Sequence, residues 1–153
     1  MRIHLIAVGR LRRGSEKVLA DDYLDRFARV GRGLGLPSVT LHEVEARGGM
    51  AAEAQAIARA RPMDAALVVL DERGQPLGSP EFADRLAGWR DAARDVAFVI
   101  GGADGIDPAL RDRADLAISF GPMVWPHMLV RVMLAEQLYR AASILAGSPY
   151  HRV

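Results

Sequence analysis

The feature that most constrains the fold of this chain is the alternation of short apolar runs with longer segments of helical periodicity. The apolar runs have the length and composition of strands, and the run over 96–100 is nearly continuous, as in a strand buried on both faces. The predicted strands cover 3–8, 39–44, 65–70, 96–100 and 116–120, and the predicted helices cover 15–30, 51–60, 80–93, 107–112 and 128–146. Ser15 and Ser79 are the predicted N-caps of the first and third helices. Such alternation indicates an α/β fold, with a mostly parallel sheet flanked by helices.

Length and composition predict one domain over residues 1–153. Half of the residues are hydrophobic and a quarter are charged, which is typical of a globular chain with a proper core. The chain has no cysteine, which excludes disulfides, thiolate zinc sites and a cysteine nucleophile. Because the four histidines lack the spacing of metal ligands, we expect no metal.

Neither a signal peptide nor a membrane span is predicted. The apolar start of the chain is short and quickly followed by charge. The most apolar segment, 128–145, is interrupted by Arg131, Glu136, Gln137 and Arg140. We therefore expect a cytoplasmic protein that has no contact with a membrane.

The net charge of +1 excludes a basic field over the whole molecule. A nucleic-acid partner would therefore have to bind a local patch. The segment 10–32 contains seven basic residues and four acidic ones. Two interpretations stay open for this segment, a solvent-exposed helix face, which is favoured, and a patch that faces RNA.

In a parallel sheet, ligands bind beyond the carboxyl ends of the strands, so the loops there are candidate sites. Asp71 follows Leu70 at the end of the third predicted strand. Its carboxylate could bind a ribose hydroxyl, or Asp71 could be a solvated residue of a turn over the sequence DERG. The turn is favoured. Gly101, Gly102 and Gly105 follow the fourth predicted strand. They fit a binding loop and a ligand-free tight turn equally well.

The loop after the fifth predicted strand is apolar and contains two prolines. Main-chain groups fixed by proline beside an apolar wall suit an adenine ring, whereas the alternative is a buried loop that fills the core. Its residues are Gly121, Pro122, Met123, Val124, Trp125 and Pro126.

The last predicted helix begins near His127, and its apolar residues cover almost its whole circumference. This pattern indicates a helix buried on most sides, in the centre of the domain or at a subunit interface. The chain then ends with Tyr150, His151 and Arg152 near its terminus. An aromatic ring, an imidazole and a guanidinium suit stacking on a base and contact with a phosphate, although a frayed terminus is the alternative.

Taken together, these segments resemble one family along essentially the full length of the chain. The resemblance is to SPOUT-class methyltransferases, whose fold contains an α/β trefoil knot, and among them to the bacterial enzymes that methylate N3 of a pseudouridine in large-subunit rRNA. The residues that carry it are those at 6–9, 70–71, 98–102, 105, 126–127, 129–132, 136–141 and 149–152. The segment 10–61 is similar only in pattern.

This resemblance implies a deep C-terminal trefoil knot and a homodimer with the last helix in its interface. It also implies S-adenosylmethionine as cofactor, held by Leu70, by Gly102 and by the loop from Gly121 to Pro126. The substrate would be 23S rRNA within the ribosome.

The resemblance also suggests roles for individual side chains. His127 is a candidate for the base that removes the N3 proton, and His151 and Arg152 would place the RNA, together with Tyr150. They would reach the site from the same chain or from a partner subunit. Arg131 would contact a phosphate or serve the interface. Two alternatives stay open: another SPOUT specificity, for a ribose 2′-hydroxyl or a tRNA base, and a non-catalytic RNA- or nucleotide-binding α/β module.

Overall fold

The computed structural model describes residues 1–152, in which five strands alternate with five helices. The strands are β1 (Ile3–Val8), β2 (Val39–Val44), β3 (Ala66–Pro76), β4 (Val96–Ile100) and β5 (Leu116–Ser119). The helices are α1 (Ser15–Arg32), α2 (Met50–Ala60), α3 (Ser79–Asp91), α4 (Pro108–Asp112) and α5 (His127–Leu145). All ten predicted elements are present.

The five strands form one sheet in the order β2-β1-β4-β3-β5, and every pair in it is parallel. The predicted fold class is therefore confirmed. From β3 the chain crosses to β4 on one side and then to β5 on the other. Such a change of direction opens a crevice beyond the carboxyl ends of the strands, which here are β3, β4 and β5. The trefoil knot stays a prediction.

The sheet is covered by helices on both faces. On one face, Phe27 of α1, Leu86 of α3 and Leu138 of α5 pack in the same cluster as Phe98 of β4. On the other face, α2 and α4 pack against the strands, with Ile57 of α2 buried in that second cluster. Burial of each such side chain stabilises the fold by about 2 kcal/mol, which explains why β4 is apolar at every position.

Helix α5 lies between α1 and α3, against the sheet. This central position explains why its apolar residues extend around most of its circumference. Its two exposed residues are Met128 and Leu129 in the first turn, which are 40% and 39% exposed. A subunit interface is therefore not needed to explain the pattern, and the dimer stays a prediction.

The structure corrects three local predictions. Ser15 and Ser79, predicted to be N-caps, are instead each the first residue after a glycine cap, Gly14 and Gly78. The cap of α3 is Gly78, whose amide donates to Glu81 (2.8 Å), so the Ser79 hydroxyl instead donates to Gln137 (2.8 Å). The turn expected after Leu70 is instead a continuation of β3, which pairs with β5 after a register shift.

Within residues 1–152, no helix combines the length and the apolar character that crossing a membrane requires.

Candidate functional site

A cleft of about 510 Å³ lies beyond the carboxyl ends of β3, β4 and β5. Its volume is in the range of small-molecule sites. Its walls are the segment 70–73 within β3 and the loops 100–106 and 120–127, with Ile118 and Val130 completing the lining.

Seven of the eight predicted cofactor residues line this one cleft: Leu70, Gly102, Gly121, Met123, Val124, Trp125 and Pro126. Pro122 lies in the same loop and is exposed. His127, the candidate base, also lines the cleft, as the half-buried first residue of α5. The fold thus brings together segments that are far apart in the sequence, although their contact with a cofactor stays a prediction.

The glycines of the 100–106 loop are required by the packing of the loop itself. A Cβ atom on Gly101 would lie 2.7 Å from the carbonyl oxygen of Gly105. A Cβ atom on Gly102 would lie 3.0 Å from Glu53 Oε1 and 3.1 Å from Val8 Cγ1. This wall of the cleft is therefore the tight turn itself, and a side chain at either glycine would force neighbouring atoms to move.

The loop after β5 does not fill the core, so that alternative is wrong. Met123 and Val124 are 71% and 80% exposed, and Trp125 is 41% exposed. Its start is fixed by Ser119, whose hydroxyl lies 3.0 Å from both the Glu72 carbonyl oxygen and the Gly121 amide nitrogen. Apolar side chains exposed together at the mouth of a cleft indicate a surface that another molecule covers.

Asp71 is not a solvated turn residue, because its side chain is only 2% exposed. One carboxylate oxygen accepts from the amide (2.9 Å) and from Nε (3.2 Å) of Arg73, and the other lies 3.4 Å from Arg111 Nη1. Burial raises the pKa of Asp71, but the Arg73 amide and the two guanidiniums together lower it below its ordinary value. The carboxylate therefore joins β3 to α4, and each of its oxygens has a partner within the chain.

Arg131 is also buried, at 3% exposure. Its Nη1 donates to Glu43 (2.8 Å), and its Nη2 donates to the carbonyl of Gly9. The predicted phosphate contact is not compatible with this position, because the guanidinium is enclosed by its own chain. Arg131 instead holds the loop after β1 against α5.

The C-terminal tail is not frayed, since Tyr150 and His151 fold back onto α5. The Tyr150 hydroxyl donates to Glu136 (2.9 Å), and the Arg140 guanidinium lies 4.8 Å from the centre of the Tyr150 ring. His151 Nδ1 is 3.3 Å from Arg140 Nη1. Burial and the Glu136 carboxylate raise the pKa of Tyr150, so its hydroxyl stays protonated and bound to that carboxylate.

Within one chain, the tail and the cleft are far apart. The tail contacts α5 at Glu136 and Arg140, whereas the cleft contacts the first residue of the same helix, His127. At about 1.5 Å per residue, these contacts are roughly 14 and 20 Å from His127 along the helix axis. A single chain therefore does not unite the predicted catalytic residues His127, His151 and Arg152.

Several charged residues at the cleft were not predicted from the sequence. Glu72 and Arg73, in the segment DERG, and Asp104, in the glycine loop, line the cleft, although none of the three was singled out. Glu53 of α2 lies behind the glycine loop. Burial and the nearby Asp104 raise the pKa of Glu53, and a hydrogen bond from the Gly102 amide partly opposes this effect. No sequence pattern linked Glu53 to this loop, because α2 and the loop meet only through the packing of the sheet. Residues 1–152 contain no cluster of three acidic or histidine side chains arranged to hold a metal ion.

Comparisons with known proteins agree with this architecture. Residues 1–151 match the family model described as a predicted SPOUT methyltransferase. The chain is 75% identical to a ribosomal RNA large subunit methyltransferase H from Paracoccus denitrificans, with 99% of each chain covered. It is 70% identical to a protein of that name from Cereibacter sphaeroides and 67% identical to one from Ruegeria pomeroyi, with complete coverage in both cases.

Solved structures with low sequence identity share the fold. A probable methyltransferase from Bordetella pertussis superposes with a TM-score of 0.54 at 14% identity, over 92% of this chain and 94% of that chain. A probable methylase family protein from Haemophilus influenzae superposes with a TM-score of 0.51 at 14% identity, over 99% of this chain and 70% of that chain. Together with the parallel sheet and the cleft beside β3, β4 and β5, the match over residues 1–151 establishes that the chain belongs to the SPOUT methyltransferase family.

Proposed function

We propose that this protein transfers a methyl group from S-adenosylmethionine to N3 of a pseudouridine in 23S rRNA within the ribosome. The observation that carries the proposal is the single cleft that brings residues 70–73 of β3 together with the loops after β4 and β5. The names of the relatives, which describe large-subunit rRNA methyltransferases at up to 75% identity, support the substrate.

The residues at the cleft fit S-adenosylmethionine. Leu70, Phe120 and Trp125 provide apolar walls for an adenine ring, beside the main chain of the glycine loop. The carboxylates of Glu72 and Asp104 also line the cleft and suit the positive charges of the sulfonium and amino groups. When bound, the cofactor supplies a methyl group that is already activated for transfer.

The protein then has two tasks, to align N3 with that methyl group and to accept the N3 proton. Alignment of two reactants removes much of the entropic part of a barrier, and a positioned base contributes a further part. We assign the base to His127, because it lines the cleft and begins α5 next to the apolar loop. His151 and Arg152 place the RNA, with Tyr150 holding the tail.

His127 of one chain and the tail residues of the other chain meet in a homodimer. The exposed apolar residues Met123, Val124, Trp125, Met128 and Leu129 all lie at the mouth of the cleft or in the adjoining first turn of α5. A two-fold dimer that buries this surface sets a second chain beside each cleft. In this arrangement the tail of the partner chain reaches the cleft. The tail of the same chain contacts α5 roughly 14 to 20 Å from His127 along the helix axis.

Calorimetry with S-adenosylhomocysteine separates an enzyme from a non-catalytic module. The proposal predicts saturable binding to the purified protein, and absence of binding would support the alternative module.

The substrate is tested in a bacterial strain from which the corresponding methyltransferase gene has been deleted. Mass spectrometry of its 23S rRNA should show pseudouridine without the N3 methyl group, and expression of this chain should restore the methyl group. If expression restores nothing, or adds methyl groups to ribose or tRNA instead, the proposed specificity is wrong.

A further inference from the structure

We infer that four arginines in the loops after β1 and β2 form an RNA-binding surface for phosphate groups beside the cleft. They are Arg10, Arg12 and Arg13 in the loop 9–14 and Arg47 in the loop 45–49, and we call them the basic edge. The inference rests on the proposed function, because that function supplies the RNA.

The charge of the segment 10–32 divides between its loop and its helix. In α1, Lys17 pairs with Asp21 (2.6 Å) and Arg26 pairs with Asp22 (3.0 Å), so much of the positive charge of the helix is neutralised locally. By contrast, the arginines of the basic edge are exposed and form no ion pair within residues 1–152.

The two loops together are strongly basic in a nearly neutral chain. They contain four arginines and one acidic residue, Glu45, whereas the chain as a whole has a net charge of +1. The neighbouring Glu43 offsets this charge only in part, because its carboxylate accepts from the buried Arg131 and from the Leu11 amide as well as attracting Arg10. A local excess of guanidinium groups on an otherwise balanced surface is the electrostatic pattern of a phosphate-binding patch.

The basic edge adjoins the cleft. Strand β1 pairs with β2 on one side and with β4 on the other, so the loops at their carboxyl ends are neighbours. Contact between them is direct, since a Cβ atom on Gly102 would lie 3.1 Å from Val8 at the end of β1. An RNA strand with one base in the cleft therefore continues within reach of these arginines.

The backbone that carries the basic edge is anchored. The Gly9 amide donates to the Val44 carbonyl (2.8 Å), and the Gly9 carbonyl accepts from Arg131. The Leu11 amide donates to Glu43. An open cleft of about 450 Å³ separates the two loops and is lined by Val8, Gly9 and residues 45–47. Arginines on a fixed loop lose less conformational freedom on binding than arginines on a mobile loop. Their contacts with phosphates position the RNA without reading its base sequence.

The test compares two charge-matched sets of substitutions in the full-length protein. The first set replaces three arginines of the basic edge, Arg10→Gln, Arg12→Gln and Arg13→Gln. The control set replaces three exposed arginines near the C-terminal ends of α1 and α2, which lie towards the amino ends of the strands: Arg29→Gln, Arg32→Gln and Arg59→Gln. Methyl transfer to unmethylated 70S ribosomes is measured as a function of KCl, with binding of S-adenosylhomocysteine as a second readout.

We expect the first set to raise KM for ribosomes by about tenfold, with kcat and the affinity for S-adenosylhomocysteine within twofold of wild type. The slope of log KM against log salt should fall by roughly 2, at about 0.7 for each phosphate that the variant no longer neutralises. The control set should match wild type in all four quantities. If three substitutions together prevent folding, Arg12→Gln and Arg13→Gln are measured singly, each with an expected two- to threefold rise in KM.

Equal KM values for the two sets contradict the basic edge. A rise in KM with intact ribosomes that is absent with a protein-free 23S rRNA fragment also contradicts it, since the partner would then be a ribosomal protein. Failure of the proposed function looks different: the wild type binds ribosomes through these arginines and transfers no methyl group to them.

Discussion

At the scale of single residues, the buried carboxylate of Asp71 makes the stability of the protein depend on pH. Because its pKa is lowered in the folded state, its contribution is present above the pKa of the unfolded chain and is lost as pH falls through the folded value. We expect Asp71→Asn to be less stable than wild type by about 1–3 kcal/mol at pH 7 and to lose less stability on acidification from about pH 5 to 3. Urea unfolding at a series of pH values measures both effects.

The control for this prediction is Asp84→Asn, at an exposed position in α3. It should keep the stability and the acid dependence of wild type. Parallel acid profiles for wild type and Asp71→Asn would show that the ion pairs of Asp71 contribute nothing to stability.

The tail residues should affect catalysis and leave the cofactor site intact. His151→Ala and Arg152→Ala remove groups that we place against the RNA, so each should lower methyl transfer to ribosomes by about 100-fold, the scale expected when a reactant is misaligned. The affinity for S-adenosylhomocysteine should stay within twofold of wild type, because the cleft is built from other segments. If both variants methylate ribosomes at the normal rate, the assignment of the tail is wrong.

Two charged side chains show where prediction from the sequence fails at this scale. Asp71 and Arg131 were predicted to face solvent or a ligand, yet both are buried and paired with charged partners. Their partners, Arg111 and Glu43, are 40 and 88 residues away in the chain. Such long-range ion pairs form because packing brings the elements together, and no local sequence pattern predicts them.

At the scale of elements, periodicity was sufficient to locate all ten strands and helices, because each must present an apolar face to the same sheet. The extension of β3 to Pro76 was not predictable, since it depends on pairing with β5 across a register shift. Exposure of the 121–126 loop was missed for a related reason. Apolar residues in a loop predict burial, and the sequence does not say whether the covering surface belongs to the same chain or to another molecule.

The tightness of the 100–106 loop leads to a prediction for the cleft. Gly101→Ala places a Cβ atom 2.7 Å from main-chain atoms of Gly105, which must then move. We expect a loss of stability of about 1–3 kcal/mol and at least a tenfold loss of affinity for S-adenosylhomocysteine. Thermal unfolding and calorimetry measure the two effects.

Gly33→Ala is the matched control, because Gly33 has a φ of −73° and a Cβ atom there would make only an ordinary van der Waals contact, 3.9 Å from the Val30 carbonyl oxygen. It should keep both stability and affinity. Normal affinity in Gly101→Ala would show that the loop does not form a wall of the cofactor site.

At the scale of the whole molecule, the proposed function requires the tail to meet a cleft from which it is separated within one chain. The apolar surface at the start of α5 offers an answer through a dimer. Met128→Glu combined with Leu129→Glu introduces two charges into this surface without changing a residue that lines the cleft. We expect light scattering to show a dimer for wild type and a monomer for this variant, which should bind S-adenosylhomocysteine but transfer no methyl group.

Met63→Glu provides the comparison, because Met63 is 87% exposed and lies before β3, away from this surface. It should remain an active dimer. If Met128→Glu with Leu129→Glu remains a dimer, the interface lies elsewhere. If this variant is a monomer that still transfers methyl groups, the site is not shared between two chains.

The most direct test of the proposed activity is methyl transfer by the purified protein to 70S ribosomes that lack the modification, with isotope-labelled S-adenosylmethionine. After digestion of the 23S rRNA, mass spectrometry identifies the labelled nucleoside and the atom that carries the methyl group. We predict one labelled nucleoside, a pseudouridine methylated at N3, at close to one per ribosome. Label on a ribose, on a different base or on no nucleoside at all would contradict the proposed activity.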